Sequence, residues 1–455
     1  MENDFSKGSI VSHIVKLAIP MTLAQLINVL YSVVDRIYIG KIPEQATLSL
    51  TGVGLALPII TMIIAFANLI GMGGAPLFSI ARGRQEEEEA KYIMGNCFVL
   101  LCCLGIILTL LGLLFKKPLL YLLGASEATL PYANAYITFY LLGSIFVMIG
   151  LGMNNFINAQ GFGKVGMFTI LIGAVANVIL DPILIFFLHM GIRGAAIATI
   201  ISQFLSALWI FKFLTGKRAS ITLETQYFKL DWGRIQKILT LGLSGFMMSI
   251  TNSGVQMACN ASLQTYGGDL YVGVMTIINT VREFIMLPLQ GISNGTQPII
   301  GYNYGAKLTT RVKSAIKFMV AACIGYTLLA WCCIHLFPTF FIKLFNQDSN
   351  LIEAGVFALR IYFFGFFMMA LQHSAQAVFV GLGKSKQAIF FSLLRKAIIV
   401  IPLTLYLPKC FALGVNGVFI AEPISNFIGG LACFTTMVVI VRKELNGLAE
   451  NFLEM

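Results

Sequence analysis

Twelve stretches of this chain are apolar and long enough to cross ~30 Å of hydrocarbon, and few architectures accept that pattern. They fall at roughly 12–39, 50–78, 93–115, 131–155, 166–188 and 194–214, then at roughly 239–263, 271–299, 314–336, 355–379, 388–408 and 415–441. In lipid each spanning segment must satisfy its own backbone polar groups, so such runs are read as helices. The expected fold is an all-α integral membrane protein of twelve transmembrane helices in two six-helix bundles. Composition agrees: 58% of residues are hydrophobic, 11% are charged and mean hydropathy is +0.85, whereas soluble domains carry about 25% charged residues. A polar segment from Thr215 to Lys237 divides the two sets of spans. The expected domains are an N-lobe at 1–214, a linker at 215–237, a C-lobe at 238–441 and a tail at 442–455.

The net charge of +11 does not mark a nucleic-acid binder, because the basic residues sit in short loops between apolar runs, where they set topology. With both termini cytoplasmic, 22 of the 31 Lys and Arg fall in inner segments and helix ends, Arg395 and Lys396 among them. Six fall outside, and Arg36, Arg282 and Arg360 lie within spans. That asymmetry places both termini on the cytoplasmic side of a multi-pass membrane protein. The acidic run Glu86 to Glu89 is expected as a solvated turn. The first apolar run carries Gln25, Asn28 and Asp35, which suits a retained helix better than a cleaved signal. The nine cysteines show no CxxC or metal-ligand spacing, so they are read as packing residues.

The two halves repeat. Pro76 and Gly83 recur as Pro298 and Gly305, and Gly161, Gly163 and Lys164 recur as Gly381, Gly383 and Lys384. Pro182 recurs as Pro402, and Gly191 and Gly194 recur as Gly414 and Gly417, all at offsets of 220 to 223. Eight matches in order at nearly fixed spacing indicate duplication. With six spans in each copy, both enter the membrane in the same sense, and a substrate path is expected between or within the lobes.

Against that apolar background a few polar residues stand out. Of twenty acids only Asp35, Asp181, Glu283 and Glu422 lie well inside spans. A carboxylate in hydrocarbon is costly and turns toward a cavity, a partner or an ion. Asn177 and Asp181, four apart, share one helix face. At about 1.5 Å per residue, Asp35, Asp181 and Thr199 fall in the outer half of their spans, with Asn177 about a turn deeper, so they can converge on one pocket of the first lobe. By the repeat offsets Asp181 corresponds to Ile401 and Thr199 to Glu422, so the second lobe lacks this set, and the first-lobe cluster is expected to do a specific job. Glu422 and the Arg282–Glu283 pair are second-lobe candidates, for a structural ion pair or a transport role. Pro20 removes a backbone hydrogen bond within the first helix and is a hinge candidate. Asn154 and Asn158, at i and i+4, cap the fourth span or line a cavity floor. Tyr31, one turn before Asp35, is placed for cation–π contact with a ligand.

At these residues the chain resembles the multidrug and toxic compound extrusion (MATE) family along nearly its whole length, in its MepA-like bacterial branch. The resemblance rests on Asp35 within Tyr31-Ser-Val-Val-Asp-Arg-Ile-Tyr-Ile-Gly40, on Gly74-Ala-Pro76 with Gly83, and on Asn177-x3-Asp181-Pro182. Gly191-x2-Gly194-Ala-Ala with Thr199, and the 6 + 6 duplication, complete it. It implies a two-lobed, V-shaped antiporter that expels cationic amphipathic compounds against H⁺ or Na⁺. Asp35, Asn177, Asp181 and Thr199 would form its first-lobe cation site. Asn28, Tyr31, Asn154, Asn158 and Asp35 would contact substrate, and Pro20 would mark the bend of the first helix. The seventh span carries no acid, and the tenth none beyond Glu353 at its outer edge, a departure from the NorM-type branch that argues against a second-lobe cation site.

The expected function is therefore a secondary active multidrug exporter, with small cationic or amphipathic substrates and the lipid bilayer as partners. No nucleic acid and no cofactor beyond the coupling ion are implied, and the chain is expected to be a monomer. Two carboxylates close together in low dielectric do not both stay ionised cheaply, so one H⁺ or Na⁺ is taken up. The alternative is a flippase for a lipid-linked oligosaccharide or peptidoglycan precursor, which would be expected to expose a basic cavity. An intramembrane enzyme is not indicated: the four histidines, His13, His189, His335 and His373, are scattered, with no HExxH.

Overall fold

The computed structural model describes residues 4–43, 46–345, 347–410 and 413–453, with side chains as far as residue 446. Among these residues there is no strand. In chain order the helices are α1 (Ile10–Ile39), α2 (Ala46–Gly83), α3 (Glu87–Leu122), α4 (Leu130–Leu142), α5 (Ser144–Ala159), α6 (Gly163–Pro182) and α7 (Gly191–Leu214). There follow α8 (Trp232–Gly305), α9 (Thr309–Leu336), α10 (Pro338–Lys343), α11 (Ser349–Phe363), α12 (Met369–Gly381), α13 (Ser385–Leu393), α14 (Ile401–Tyr406) and α15 (Val415–Leu453).

Among the described residues ten helices are long and apolar enough to cross a bilayer, and α4 with α5, bent by 54°, makes an eleventh crossing if the pair is one span. The 74 residues of α8 would reach about 110 Å as one rod, far beyond any bilayer. Gly268 breaks the run with φ 65° and ψ −164°, a backbone state that only glycine adopts without strain. The two arms of α8 are thus separate crossings, and every apolar window of the sequence has its helix. The tail expected at 442–455 is helical as far as Leu453. Its last two residues, like residues 1–3, lie outside the described residues.

The chain forms two compact units, one of Leu23–Gly242, the other of Asp4–Thr22 with the chain from Leu243 onward. This differs from the boundaries expected from sequence in two places. The linker, 215–237, is stapled to the first bundle: buried Asn96 of α3 donates to the Lys229 carbonyl at 3.0 Å and accepts from the Asp231 amide at 3.0 Å. Buried Gln160 accepts from the Ile221 amide at 2.9 Å, and Lys91 meets Glu224 at 2.8 Å. Glu89, one of the acids expected in a solvated turn, instead takes a bidentate bond from Arg234.

The other difference is that α1 is shared. Its opening half packs in the second unit, where Gly295 lets the α8 backbone come so close to Ala18 that a Cβ would stand 2.8 Å from the Ala18 nitrogen. Ahead of it, Arg311 donates to the carbonyls of Phe5 and Gly8 at 2.7 and 2.9 Å and to Asn303 Oδ1 at 3.1 Å. The helix itself runs unbroken through Pro20, and the division between units falls just after Thr22.

In the first unit α2 packs along α3 and α5, with Phe78 and Phe156 edge to face at 5.3 Å. Small residues set the spacing, as is usual where helices pack in lipid. A Cβ at Gly71 would stand 2.7 Å from the Gly152 carbonyl oxygen and 2.8 Å from its Cα. Both of these Gly152 atoms are backbone and cannot swing away. Gly71→Ala is therefore expected to destabilise the protein by about 1–3 kcal/mol, the usual cost of overpacking, whereas Gly54→Ala, inside the same helix with open space around its Cβ, should raise the melting temperature in detergent slightly, by the worth of about 0.5–1 kcal/mol.

The Lys91–Glu224 pair gives a second expectation. The hydrogen bond from Lys91 holds the Glu224 carboxyl below its ordinary value of 4.5, so its contribution is present at neutral pH and is lost as pH falls through the depressed value. Both side chains are partly exposed, and solvent screening keeps the pair under about 1 kcal/mol. Glu224→Gln should lower the melting temperature slightly at pH 7, and the gap from wild type should close once the pH is well below 4.5.

Candidate functional site

The first-unit site is built on α1, α5, α6 and α7. Gly194 begins the work: a Cβ there would stand 2.7 Å from the Leu184 carbonyl carbon and oxygen. Its absence lets the start of α7 close onto the end of α6, where α6 passes into a π-helical stretch, Ile183–Phe187, just after Pro182. Such irregular turns inside helices frequently mark functional sites. Asp181 and Thr199 are brought to the same region by this approach.

Asp181 is fully buried, and Asn177, 1% exposed, donates from Nδ2 to Asp181 Oδ1 at 3.3 Å. The Asp35 carboxyl, from α1, is within hydrogen-bond reach of the Asp181 carboxyl. Three oxygens, Asp35 Oδ1, Asn177 Oδ1 and Asp181 Oδ2, are buried with no hydrogen-bond partner among the described residues. Buried polar atoms are almost always satisfied, so this concentration of unpaired acceptors fits a bound proton or small cation.

Beside the acids lies a cavity with an empty volume of about 450 Å³. Gly150, Gly173 and Ala174 leave the room, and Asn28, Tyr31, Thr169, Asn177, Thr199 and Gln203 give it polar walls. Of the residues singled out in the sequence, Asn28, Tyr31, Asn177 and Thr199 line this cavity, while Asp35 and Asp181 sit one helical turn beyond Tyr31 and Asn177. Asn154 and Asn158 are placed elsewhere: Asn154 Nδ2 donates to the Gly166 carbonyl at 3.3 Å. A Cβ on Gly166 would meet Asn158 Oδ1 at 2.3 Å. Both asparagines thus face the opening turn of α6. Tyr136 was not singled out in the sequence; it is buried, and its ring stacks on Tyr140 with centroids 6.3 Å apart. The signal available for it was a pair of tyrosines at i and i+4 in the fourth span.

The family model described as MatE matches the chain twice, over residues 20–183 and 245–406, once in each half. The chain belongs to the MatE family. Among curated MatE relatives, the multidrug export protein MepA of Staphylococcus haemolyticus is 26% identical over 435 residues, 93% of each chain. MepA of Staphylococcus aureus strain MSSA476 is 25% identical over 443 residues, 97% of this chain and 96% of its own. Among solved structures, one titled "Crystal structure of MATE in the bent conformation" superposes with a TM-score of 0.92 over 97% of this chain and 98% of its own, at 23% identity. The fold is therefore that of MATE transporters.

The second half of this MatE chain is differently charged. Glu422 is buried and accepts from Arg395 Nη1 at 3.0 Å and from Lys396 Nζ at 3.0 and 3.3 Å. Arg395 and Lys396 are each 2% exposed and lie in a π-helical stretch, Leu394–Val400, beside the repeat proline Pro402. This corrects the expectation that they belong with the inner helix ends: each is inside the bundle because Glu422 and Asn426, on α15, supply partners there. The expected Arg282–Glu283 pair also separates. Arg282 Nη1 reaches the Tyr362 hydroxyl at 3.2 Å, and Glu283 is exposed.

Removing the one carboxylate shared by two buried cations leaves both uncompensated. Glu422→Gln is expected to destabilise the protein by roughly 3–5 kcal/mol, read as a fall in melting temperature and in yield of monodisperse protein. Glu283→Gln should melt as wild type does.

Proposed function

We propose that this MatE chain is a secondary active exporter that carries cationic amphipathic compounds out of the cell in exchange for H⁺ or Na⁺ by alternating access. The observation that carries the proposal is the contact between two carboxylates, Asp35 and Asp181, inside an apolar bundle and beside a polar-walled cavity. Among the described residues neither acid forms a salt bridge with a basic side chain, so a mobile cation is what offsets their charge. The relatives named multidrug export proteins, similar along nearly the whole chain, support the same cargo class. They do not favour the flippase alternative.

Asp35, Asn177, Asp181 and Thr199 hold the coupling ion: the acids supply charge, and the amide and hydroxyl supply neutral oxygens suited to Na⁺ or to a hydrogen bond with a protonated acid. Asn28 and Tyr31 contact substrate from the cavity wall, with Asp35 beneath them and Asn154 and Asn158 at the turn of α6. Neutralising the pair removes the charge cost of collapsing the cavity. Pro20, in the α1 turn just before the division between units, is the hinge. The protein works as a monomer in the bacterial inner membrane with both termini cytoplasmic.

Efflux of a cationic dye from vesicles driven by a pH gradient alone, or by a Na⁺ gradient alone, identifies the ion. Asp35→Asn and Asp181→Asn should each slow driven efflux by about tenfold or more, the loss expected when ~1.4 kcal/mol or more of ion binding goes. Native-rate transport by both variants overturns the mechanism.

A further inference from the structure

The buried charge of the second unit does not balance. Arg395 and Lys396 share Glu422, and Arg395 Nη1 has a further bond only to the neutral Asn426 Oδ1 at 2.6 Å. Arg282, half-buried, has the exposed Glu283 beside it as well as Glu422 within Coulombic range. The two buried cationic heads therefore share one carboxylate, and among the described residues of this unit no other acid is buried. An excess of one buried positive charge in a membrane bundle calls for a counter-ion.

A second observation shows where it would sit. A cavity with an empty volume of about 280 Å³ opens against Arg395 and Lys396 and is also lined by Gln372, His373, Gln376 and Ser392. Arg395 Nε is buried there and has no hydrogen-bond partner among the described residues. A guanidinium keeps its proton, so this N–H must donate to something. The Gln372 Oε1 is likewise buried and unpaired, and turning that amide over would present its N–H₂ instead. Arginine, lysine and amide donors lining one small cavity make a site for negative charge.

We infer that the second unit holds a binding site for one compact monovalent anion, a halide or a carboxylate, on Arg395, Lys396 and Gln372. The anion comes either free from solution or as the carboxylate of a carried zwitterion. Only the latter source rests on the exporter proposal, and neither uses the acid pair of the first unit.

The test is the melting temperature of the full-length protein in detergent, in sodium isethionate, a bulky sulfonate, with chloride, bromide or acetate replacing isethionate at constant sodium. Chloride and bromide are expected to raise the midpoint saturably. Lys396→Gln should raise the half-saturating concentration by about tenfold or more. Gln372→Glu, which tethers a carboxylate among the donors, should raise the midpoint in isethionate and abolish the response. Saturation at lower concentration with chloride than with acetate assigns the free ion; the reverse order assigns a carboxylate group. Equal midpoints in all salts overturn the site, as does a halide response intact in both variants. If Lys396→Gln does not fold, Gln372→Glu and the wild-type salt series decide the matter.

Discussion

The cost of keeping an ionised group in hydrocarbon governs this molecule more than any packing preference. Most of the chain avoids it, which is why 58% of residues are hydrophobic and long helices run with scarcely a charge. At two places the cost is accepted. In the first unit two acids meet, with an amide on one and a hydroxyl close by. In the second, two buried cations close on one acid. By the repeat spacing Glu422 stands where Thr199 does, and Arg395 and Lys396 stand where Val175 and Ala176 do. One duplicated scaffold has thus been loaded with opposite charge in its two copies, about a turn and a half apart along the repeat, with a π-helical stretch just after the proline in the first and just before it in the second.

Much of this was legible in the residue order. The apolar windows gave the crossings, because a bilayer imposes a length that no soluble core does. The acid, amide and hydroxyl set stood out because each is expensive where it lies. The charges of the second unit were hidden for the opposite reason. Arg395 and Lys396 sit near the start of an apolar window, so averaging absorbed them, and counting loop charge assigned them to a helix end. Their partner, Glu422, lies 26 and 27 residues further on, too far for any local pattern to announce it.

Tertiary contacts also redrew the boundaries. Residues 215–237 are polar and poor in helix, the composition of a tether, yet Asn96 and Gln160 bind that segment to the first bundle through backbone groups that side-chain chemistry does not foretell. The sharing of α1 was equally silent. A single unbroken helix gave no hint that its two ends belong to different units, although Pro20 marks the neighbourhood of the change.

Among the described residues no second pair of buried acids meets, and this has a bioenergetic consequence. On the exporter proposal, one carboxylate pair trades one proton or Na⁺ for one singly charged organic cation, and such a swap moves no net charge across the bilayer. The electrical half of a cell's stored force, about 2.3 kcal/mol per charge per 100 mV, then does no work on the cycle. Pumping would stall when the ion's concentration difference collapsed, however large the voltage, and a doubly charged cargo would have to be driven against it.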